Sequence, residues 1–319
     1  MKIKPLAVLI PVIILLAATW FLLSYEIHMA RIPWAIGVYD VDDSFNTNES
    51  VNNPVLTKSS VAQKPTYFVA DPFVFKHNGK YLMFYEAGLI DRNDRRGAIA
   101  LAVSDDGVSY KHHSIVLEDE VSISFPIIYE EGEDKYMTIE GVKANNIRLF
   151  KALDFPYSWT CVDTLLTGPW SDPSIYKSGD TYFLFVSTPY VYEDVHIFYS
   201  NSFFGPYVEH PMNPVVSKNK RIARNAGNIF EMNNKLYRPV QDCSNMYGEK
   251  VRMMEILELS ETTYREKEIE NSPLSFKQDG WNRTKMHTFN IFKINDKMMV
   301  ATDGAPHNGK LQLRIVKRR

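Results

Sequence analysis

A pattern of two apolar strands joined by a polar turn recurs five times along the chain, and it constrains the fold more than any other feature. The five copies begin at Asp71, Phe125, Asp172, Ala226 and Thr288. The turn of each copy is rich in Gly, Asn and Asp, which is typical of a β-hairpin. The starts are separated by 54, 47, 54 and 62 residues, so each copy has room for two further strands.

Four strands per copy, repeated five times without long helical periodicity, predict an all-β fold, a five-bladed β-propeller over residues 32–319. The last copy ends with its third strand, Leu311–Lys317. We therefore predict that a strand from the N-terminal side, around Trp34–Asp40, supplies the fourth. Pairing the two ends of the chain would close the ring and remove an exposed sheet edge.

An uncharged segment, Pro5–Tyr25, precedes the propeller. As a helix it would be about 31 Å long, which matches a bilayer core of about 30 Å. It is longer than the apolar core of a cleaved signal peptide, about 7–15 residues. Lys2 and Lys4 come before it, so the positive-inside rule places the N-terminus in the cytoplasm. We expect residues 1–31 to form a cytoplasmic stub, a single-pass transmembrane signal anchor and a short flank, with the propeller on the extracytoplasmic or lumenal side.

The composition excludes several classes of protein. Lys and Arg total 36 against 38 Asp and Glu, so the basic excess of a nucleic-acid binder is missing. Cys161 and Cys243 are the only cysteines, which excludes a disulfide framework and a cysteine-based zinc site. We predict no cofactor and no metal ligands: a Ca²⁺ in the channel would be unsurprising among so many oxygens, but no spacing demands one.

The inner strand of each propeller blade lines the central channel, so residues at one register in different blades meet in a ring. Positions at or just before the start of each copy, and positions fifteen residues later, would share one mouth of the channel. The predicted site residues are Asp71, Asp172, Glu140 and Glu86 as catalytic candidates, and Arg224, Asn225, Gln241, Asp242, His287, Asp303 and Ser124 as substrate-binding candidates.

Several carboxylates around one pocket suit the chemistry of a glycosidic bond. One carboxyl must be protonated to assist a leaving oxygen, and another must be ionised to activate water or attack carbon. Crowding of like charges separates their pKa values. Arg224 and His287 could hold a further carboxylate ionised, or bind a phosphate or a sugar acid. Each residue also has a structural interpretation: Asp-Pro is a common turn, His287 a satisfied buried histidine, and Arg224 half of a buried ion pair.

Aromatic side chains near the mouth would add surfaces on which sugar rings stack. Trp170, Tyr85, Trp281 and Tyr190 are the candidates from the sequence.

Several blocks of residues occur together and in order, and they carry a resemblance to a known family. They are Asn53–Thr57, Phe68–Phe73, Phe84–Glu86, Ser124–Pro126, Ala223–Asn225, Leu236–Arg238, Gln241–Cys243 and Tyr247-Gly248. From about Pro33 to Val251, and more loosely to the end, the chain resembles the N-terminal propeller domain of plant glucosamine inositolphosphorylceramide transferases. That domain is in turn similar to the five-bladed propellers of arabinanases, β-xylosidases and fructosidases.

The resemblance implies roles for the acidic residues. Asp71 would be the base or nucleophile, Asp172 the residue that tunes pKa values, and Glu140 or Glu86 the acid. The chain departs from these relatives in two ways, which limits the residue roles and the activity that the resemblance implies. The blocks around Arg224 and Gln241 are not hydrolase motifs, and no position clearly matches the hydrolase acid. The plant protein also has a separate C-terminal glycosyltransferase domain, which we expect this chain to lack.

Two functions therefore stay open. The first is a membrane-anchored enzyme that cleaves or transfers a glycosyl unit on a glycan or glycolipid. The second is a non-catalytic glycan-binding propeller that presents substrate to a partner glycosyltransferase. A purely structural interaction propeller would not need an acidic channel mouth. In both cases the expected partners are the glycan or glycolipid and, through the N-terminal helix, the membrane.

Overall fold

The computed structural model describes residues 25–30, 34–48, 50–91, 94–189, 191, 193–274, 280–306 and 312–317. The chain divides into two units, a large one from Pro33 to Asn308 and a small one made of Met1–Ile32 and Gly309–Arg319. In the small unit, β1 (Tyr25–Ala30) pairs antiparallel with the last strand of the chain, Gln312–Lys317.

The large unit consists of strands and three short 3-10 turns. In chain order the strands are β2 (Ala35–Val41), β3 (Thr47–Asn48), β4 (Thr66–His77), β5 (Lys80–Asp91), β6 (Asp94–Ser104), β7 (Lys111–Leu117), β8 (Ser124–Glu131), β9 (Asp134–Gly141), β10 (Asn146–Asp154), β11 (Ser158–Thr167), β12 (Ser171–Ser178), β13 (Thr181–Ser187), β14 (Val195–Ser200), β15 (Val208–Glu209), β16 (Arg224–Asn225), β17 (Phe230–Met232), β18 (Lys235–Asp242), β19 (Lys250–Leu259), β20 (Tyr264–Glu268), β21 (Asn290–Ile294) and β22 (Lys297–Gly304). The 3-10 turns are Lys58–Ser60, Val142–Ala144 and Gly280–Asn282. The last strand of the chain, in the small unit, is β23.

These strands form five antiparallel sheets, which confirms the predicted all-β, five-bladed propeller. Blades 1 to 3 are β4–β7, β8–β11 and β12–β15, each in sequential order. In blade 4 the inner strand is split, and both β16 and β17 pair with β18, which is followed by β19 and β20. Blade 5 has the order β21-β22-β2-β3, so the N-terminal strands complete the last sheet.

The third strand of blade 5 differs from the prediction. The sequence predicts Leu311–Lys317 as the third strand and Trp34–Asp40 as the fourth. Instead β2 pairs with β22, with Ile36 opposite Asp303, and is the third strand, while β3 is the fourth and β23 pairs with β1. That part of the prediction is wrong. A strand in the middle of a blade must be apolar on both faces, and β2 is: Ile36 and Tyr39 belong to two different core clusters. The predicted segment carries Arg314, whose charge is costly to bury between two sheets.

One cluster of buried side chains fills each seam between neighbouring blades, because the blade strands are apolar on both faces. Members from the two sides of each seam are Val38 and Met83, Phe84 and Met137, Leu149 and Leu184, Phe185 and Ile256, and Met253 and Val300.

Polar side chains also join the inner strands of adjacent blades. The N–H of Val74 in blade 1 donates to Asn290 Oδ1 of blade 5 at 2.8 Å, and the N–H of Ile229 in blade 4 donates to Ser174 Oγ of blade 3 at 3.0 Å. These bonds satisfy backbone groups that face the channel rather than a neighbouring strand.

The predicted membrane anchor, Pro5–Tyr25, lies outside the described residues except for Tyr25, which begins β1. Within the part of the chain that the structure describes, no helix combines the length and apolar character needed to cross a bilayer.

Candidate functional site

The inner strands of blades 1, 2 and 3 share a bulge at an X-Pro step, where the pairing register with the second strand shifts. The first residues of the three bulges are Asp71, Phe125 and Asp172, with φ of 51°, 57° and 50°. This left-handed conformation costs a residue with a side chain about 1–3 kcal/mol, so its surroundings must hold it. The repeated Asp-Pro of the sequence is therefore a bulge that sets the direction of an acidic side chain.

A carboxylate of the preceding blade holds each acidic bulge in place. The N–H of Asp71 donates to Asp303 Oδ2 at 2.9 Å, and the N–H of Asp172 donates to Glu140 Oε2 at 2.7 Å. The other oxygen of Glu140 accepts a 2.7 Å hydrogen bond from Ser124 Oγ. Glu140 is thus held as an acceptor on both oxygens, and its described contacts fit a structural role.

Blade 4 follows the same arrangement with a hydroxyl in place of the carboxylate. Ser187 Oγ of blade 3 accepts the N–H of Asn225 at 3.0 Å. Ser187, Glu140 and Asp303 share one register, fifteen residues after the start of their copies. The repeat therefore gives these three residues one common function as acceptors between blades.

Glu86 has the same register in blade 1 but a different environment. Its side chain is half-buried, and its carboxyl makes no hydrogen bond or ion pair with a described residue. It lies against Gly97, where a Cβ would come within 2.2 Å of Glu86 Oε1. Burial, followed by the charges of Asp71, Glu140 and Asp303, raises the pKa of Glu86 well above its usual value. Glu86 is a half-buried carboxyl that favours the protonated form.

Asp303 is the best-satisfied carboxylate of the mouth. It accepts Nδ1–H of His287 at 2.7 Å and the backbone N–H groups of His287 and Thr288 at 3.1 and 3.2 Å, all on Oδ1. Burial opposes its charge, yet His287 and these bonds hold the pKa of Asp303 below its usual value. Burial likewise opposes charge on His287, but Asp303 keeps the pKa of His287 above its usual value. The two form a buried ion pair.

Asp71 lies beside this ion pair. Its Oδ1 accepts a 3.1 Å hydrogen bond from Thr288 Oγ1 and is 3.9 Å from His287 Nδ1. Burial raises the pKa of Asp71 to about 6, with the charge of His287 acting against burial and the charges of Asp303 and Glu140 acting with it. Asp71 is accordingly an acid that ionises just below neutral pH.

Asp172 is paired with an arginine. Arg224 Nε is 2.7 Å from Asp172 Oδ2, and Arg224 Nη2 donates to Asp172 Oδ1 at 3.1 Å. The guanidinium carbon lies 5.0 Å from the ring centroid of Tyr247. Burial raises the pKa of Asp172 to about 7. The positive charge of Arg224 acts to lower this pKa, and the negative charge of Glu140 acts to raise it.

The remaining candidates from blade 4 fall into two groups. Asn225 Nδ2 donates to the carbonyl of Asp172 at 2.9 Å, and Gln241 Nε2 donates to the carbonyl of Asn225 at 2.8 Å, so both amides brace backbone at the axis. Asp242 faces away from this group: its Oδ2 accepts from Nε of Arg252 at 2.8 Å. Its described contacts thus fit an ion pair within blade 4 rather than the axial cluster.

An aromatic and cationic wall of the mouth is formed by Trp34, Tyr247, Lys285 and His287. Sequence reasoning proposed His287 as a site residue and missed the other three. The ring of Trp34 stacks on His287 with centroids 4.1 Å apart, and Tyr247 meets His287 edge-on at 5.2 Å. Lys285 Nζ lies 5.6 Å from the Trp34 ring and 5.8 Å from the Tyr247 ring. Thr288 was also missed, although it begins the fifth copy. Besides His287, the block Tyr247-Gly248 was the sequence signal for this wall.

The aromatic residues proposed from the sequence lie elsewhere. Tyr85 is buried, and its hydroxyl is 2.8 Å from His112 Nδ1. Trp170 packs on Phe198, and Trp281 lies against Gly37. Tyr190 is outside the described residues.

Asp71, His287 and Asp303 each present a ligand atom within 4.8 Å of the others, a grouping able to hold a metal ion. Within this group His287 and Asp303 already form an ion pair, with 2.7 Å between Nδ1 and Oδ1.

Comparison with known proteins places this geometry in a family. The family model described as "Glucosamine inositolphosphorylceramide transferase 1, N-terminal" matches residues 32–305. Glucosamine inositolphosphorylceramide transferase 1 of Oryza sativa subsp. japonica is 33% identical over 279 residues, which cover 80% of this chain. The Arabidopsis thaliana protein of that name is 30% identical over 290 residues, 82% of this chain. The chain spans 37% of the length of each of these relatives.

Solved structures share the fold. The catalytic domain of a GH62 α-L-arabinofuranosidase from Coprinopsis cinerea matches with a TM-score of 0.59 at 11% identity, covering 90% of this chain and 96% of that one. A GH43 protein from Bacillus licheniformis matches with a TM-score of 0.57 at 15% identity, covering 76% of this chain and 52% of that one. At these identities the likeness concerns the fold alone.

Proposed function

Because the chain belongs to the family of the N-terminal domain of glucosamine inositolphosphorylceramide transferase 1, we propose that it is a membrane-anchored, carbohydrate-active protein that cleaves or transfers a glycosyl unit on a glycan or glycolipid. Asp71 and Glu86 would be the working carboxyls. One observation carries the proposal: Asp71 lies 3.9 Å from the imidazole of His287, whereas Glu86 is half-buried and makes no hydrogen bond or ion pair with a described residue.

Glu86 is suited to the role of the acid. A general acid must hold its proton near neutral pH and release it only in the transition state. Burial and the neighbouring carboxylates favour the neutral form of Glu86. In the reaction its proton would pass to the glycosidic oxygen as the bond from that oxygen to the anomeric carbon breaks.

Asp71 is suited to the complementary role. With a pKa of about 6 it is mostly ionised at pH 7, and the imidazolium of His287 stabilises that charge. Thr288 Oγ1 orients its Oδ1. As a carboxylate it would either attack the anomeric carbon or take a proton from the attacking water or acceptor hydroxyl. Two neighbouring carboxyls in different environments, one neutral and one ionised, are what this chemistry requires.

The aromatic and cationic wall would bind the sugar next to these carboxyls. The rings of Trp34 and Tyr247 offer faces and edges for a sugar ring. The relatives are named for a phosphorylated lipid, and the positive charges of Lys285 and His287 would suit its phosphate. We therefore place the glycolipid head group against this wall.

A second function is favoured by the Arg224–Asp172 ion pair. Arg224 reaches both oxygens of Asp172, which leaves that carboxylate less able to tune its neighbours than the resemblance to hydrolases implies. In this alternative the propeller binds glycan without turnover and presents it to a partner glycosyltransferase.

We also propose that Pro5–Tyr25 anchors the protein and that the propeller lies on the extracytoplasmic or lumenal side. The uncharged run and the lysines before it support this. Protease added to sealed vesicles made from expressing cells should digest the propeller only after the vesicles are opened, if these are inverted vesicles with the cytoplasmic face outward. Digestion before opening would contradict the orientation.

The catalytic proposal is tested with the full chain in detergent. It is incubated with arabinan and xylan oligosaccharides and with inositolphosphoryl glycolipids, with and without sugar nucleotides, and products and binding are measured separately. We expect Glu86→Gln and Asp71→Asn to abolish turnover and keep binding. Binding without turnover in the unmodified protein would favour the presenting function, and neither binding nor turnover would contradict both.

A further inference from the structure

Arg238 is the largest side chain with almost no solvent exposure in the described part of the chain. It lies on β18, the second strand of blade 4. Its Nε and Nη2 donate to Glu266 at 2.9 and 2.6 Å, its Nη1 donates to Asn225 Oδ1 at 3.1 Å, and its Nη2 also donates to the carbonyl of Ile222 at 3.0 Å.

A buried ion pair of this kind is a poor means of adding stability, because desolvation offsets most of the attraction. Its contacts indicate what it does instead. The inner strand of blade 4 is interrupted, and β16 contains only Arg224 and Asn225. So short a strand makes few ladder hydrogen bonds. Arg238 binds this strand and the segment before it at two points. It donates to the side chain of Asn225 and to the backbone carbonyl of Ile222.

The segment that Arg238 binds, residues 222–225, contains the residues that contact Asp172. Asn225 Nδ2 donates to the carbonyl of Asp172, and Arg224 pairs with its carboxylate. We infer that Arg238 is a positioning residue of the channel mouth: it fixes Asn225 and the backbone before it, and so holds Arg224 against Asp172. A planar fork of donors suits this task, because it fixes direction as well as charge.

The inference concerns a residue within the proposed site and gains its functional meaning from that proposal, but its test does not depend on turnover. The full chain in detergent is labelled with ¹³C at the aspartate carboxyls and titrated by NMR. The Asp172 signal is identified by its loss in Asp172→Asn. The charged groups that face Asp172 are Arg224, Glu140 and Asp71, and none of them is changed in the test variants.

Arg238→Lys keeps the positive charge but loses the fork. We expect it to raise the titration midpoint of Asp172 by about one pH unit, because Arg224 is held less firmly. Asn225→Ala removes the acceptor of the Arg238 hydrogen bond and should shift the titration midpoint of Asp172 in the same direction. The double variant should shift it by less than the sum of the two single shifts, since the contact between Arg238 and Asn225 is common to both changes.

Arg252→Lys is the matched control. Arg252 is also a buried arginine of blade 4, on β19, and it pairs with Asp242 and Glu268. We expect it to leave the midpoint of Asp172 unchanged. An unchanged midpoint in folded Arg238→Lys, or an equal shift in Arg252→Lys, would overturn the inference. If Arg238→Lys does not fold, an unchanged midpoint in Asn225→Ala overturns it.

Discussion

The backbone N–H of Asp172 donates a 2.7 Å hydrogen bond to Oε2 of Glu140, one blade earlier in the ring. The same relationship joins Asp71 to Asp303 at 2.9 Å. Carboxylates at one register of the repeat are therefore not equivalent. Asp303 and Glu140 hold the bulge of the next blade, whereas Glu86 makes no hydrogen bond or ion pair with a described residue.

Glu86→Gln and Glu140→Gln should separate these roles by stability. At Glu140 the amide replaces one acceptor oxygen by a donor that faces either Ser124 Oγ or the N–H of Asp172. We expect a loss of about 1–3 kcal/mol in the free energy of unfolding. At Glu86 a neutral isostere replaces a carboxyl that favours its neutral form, so stability should be unchanged or slightly higher. Thermal unfolding of both variants at pH 7 tests this, and equal destabilisation would contradict it.

Much of the fold could be predicted because a repeat fixes register. Once Asp71 and Asp172 occupy the same position in two copies, closure of the ring brings them to one mouth, whatever the details of the blades. Fifteen residues later, Glu140 and Asp303 return to that mouth by the same reasoning. The repeat could not supply the third strand of the last blade, because β2 lies outside the repeated unit and is distant in sequence.

The partners of these residues could not be predicted from the repeat. Asp242 follows Gln241 directly, yet successive residues of a strand point to opposite faces of the sheet. Asp242 therefore pairs with Arg252 and does not face the propeller axis. The sequence left Arg224 with two interpretations, a ligand-binding residue or half of a buried ion pair. Its two contacts with Asp172 fit the second interpretation.

Asp71→Asn should change the dependence of stability on pH. Asp71 has a pKa of about 6 in the folded chain, against about 3.9 when unfolded. A group whose pKa is raised in the folded chain contributes stability that is fully present below its unfolded pKa. This stability is lost as the pH rises through its folded pKa. The unmodified protein should lose stability on this account between about pH 4 and pH 7.

Asparagine lacks this titration and can still accept from Thr288. We expect Asp71→Asn to be more stable than the unmodified protein at pH 8, by about 3 kcal/mol, and nearly equal at pH 4. Thermal unfolding of both proteins from pH 4 to pH 8 measures the difference. A difference that does not grow with pH would contradict the assignment.

Asp172→Asn tests the ion pair with Arg224. It leaves the buried guanidinium of Arg224 without a counter-charge on that side, although Tyr247 stays in contact. Burial raises the pKa of Asp172 as it does that of Asp71, so the neutral side chain should offset part of the cost of the unpaired charge above pH 7. Arg224→Met removes that unpaired charge, so Asp172→Asn should be tolerated better in its presence than alone. Denaturant unfolding of the two single variants and the double variant measures the coupling, and additive losses would contradict it.

Gly97→Ala should disable Glu86 without altering its chemistry. A Cβ on Gly97 would lie 2.2 Å from Glu86 Oε1 and 2.5 Å from the carbonyl of Ile123, so the flexible carboxyl must move. We expect turnover of any glycan substrate to fall by about 100-fold or more, the usual contribution of a general acid, with binding retained. Gly88→Ala is the matched control: Gly88 pairs with Gly97 across β5 and β6, but its Cβ would meet Phe68 instead.

A second substitution distinguishes displacement of Glu86 from damage to the sheet. Glu86→Asp shortens the side chain by one methylene and frees the space that the added methyl group of Gly97→Ala would take. If displacement is the cause, Gly97→Ala combined with Glu86→Asp should lose less activity than the product of the two single effects. If the contact with the Ile123 carbonyl is the cause, the double variant should be no better than Gly97→Ala. If general damage to the sheet is the cause, Gly88→Ala should be similarly impaired.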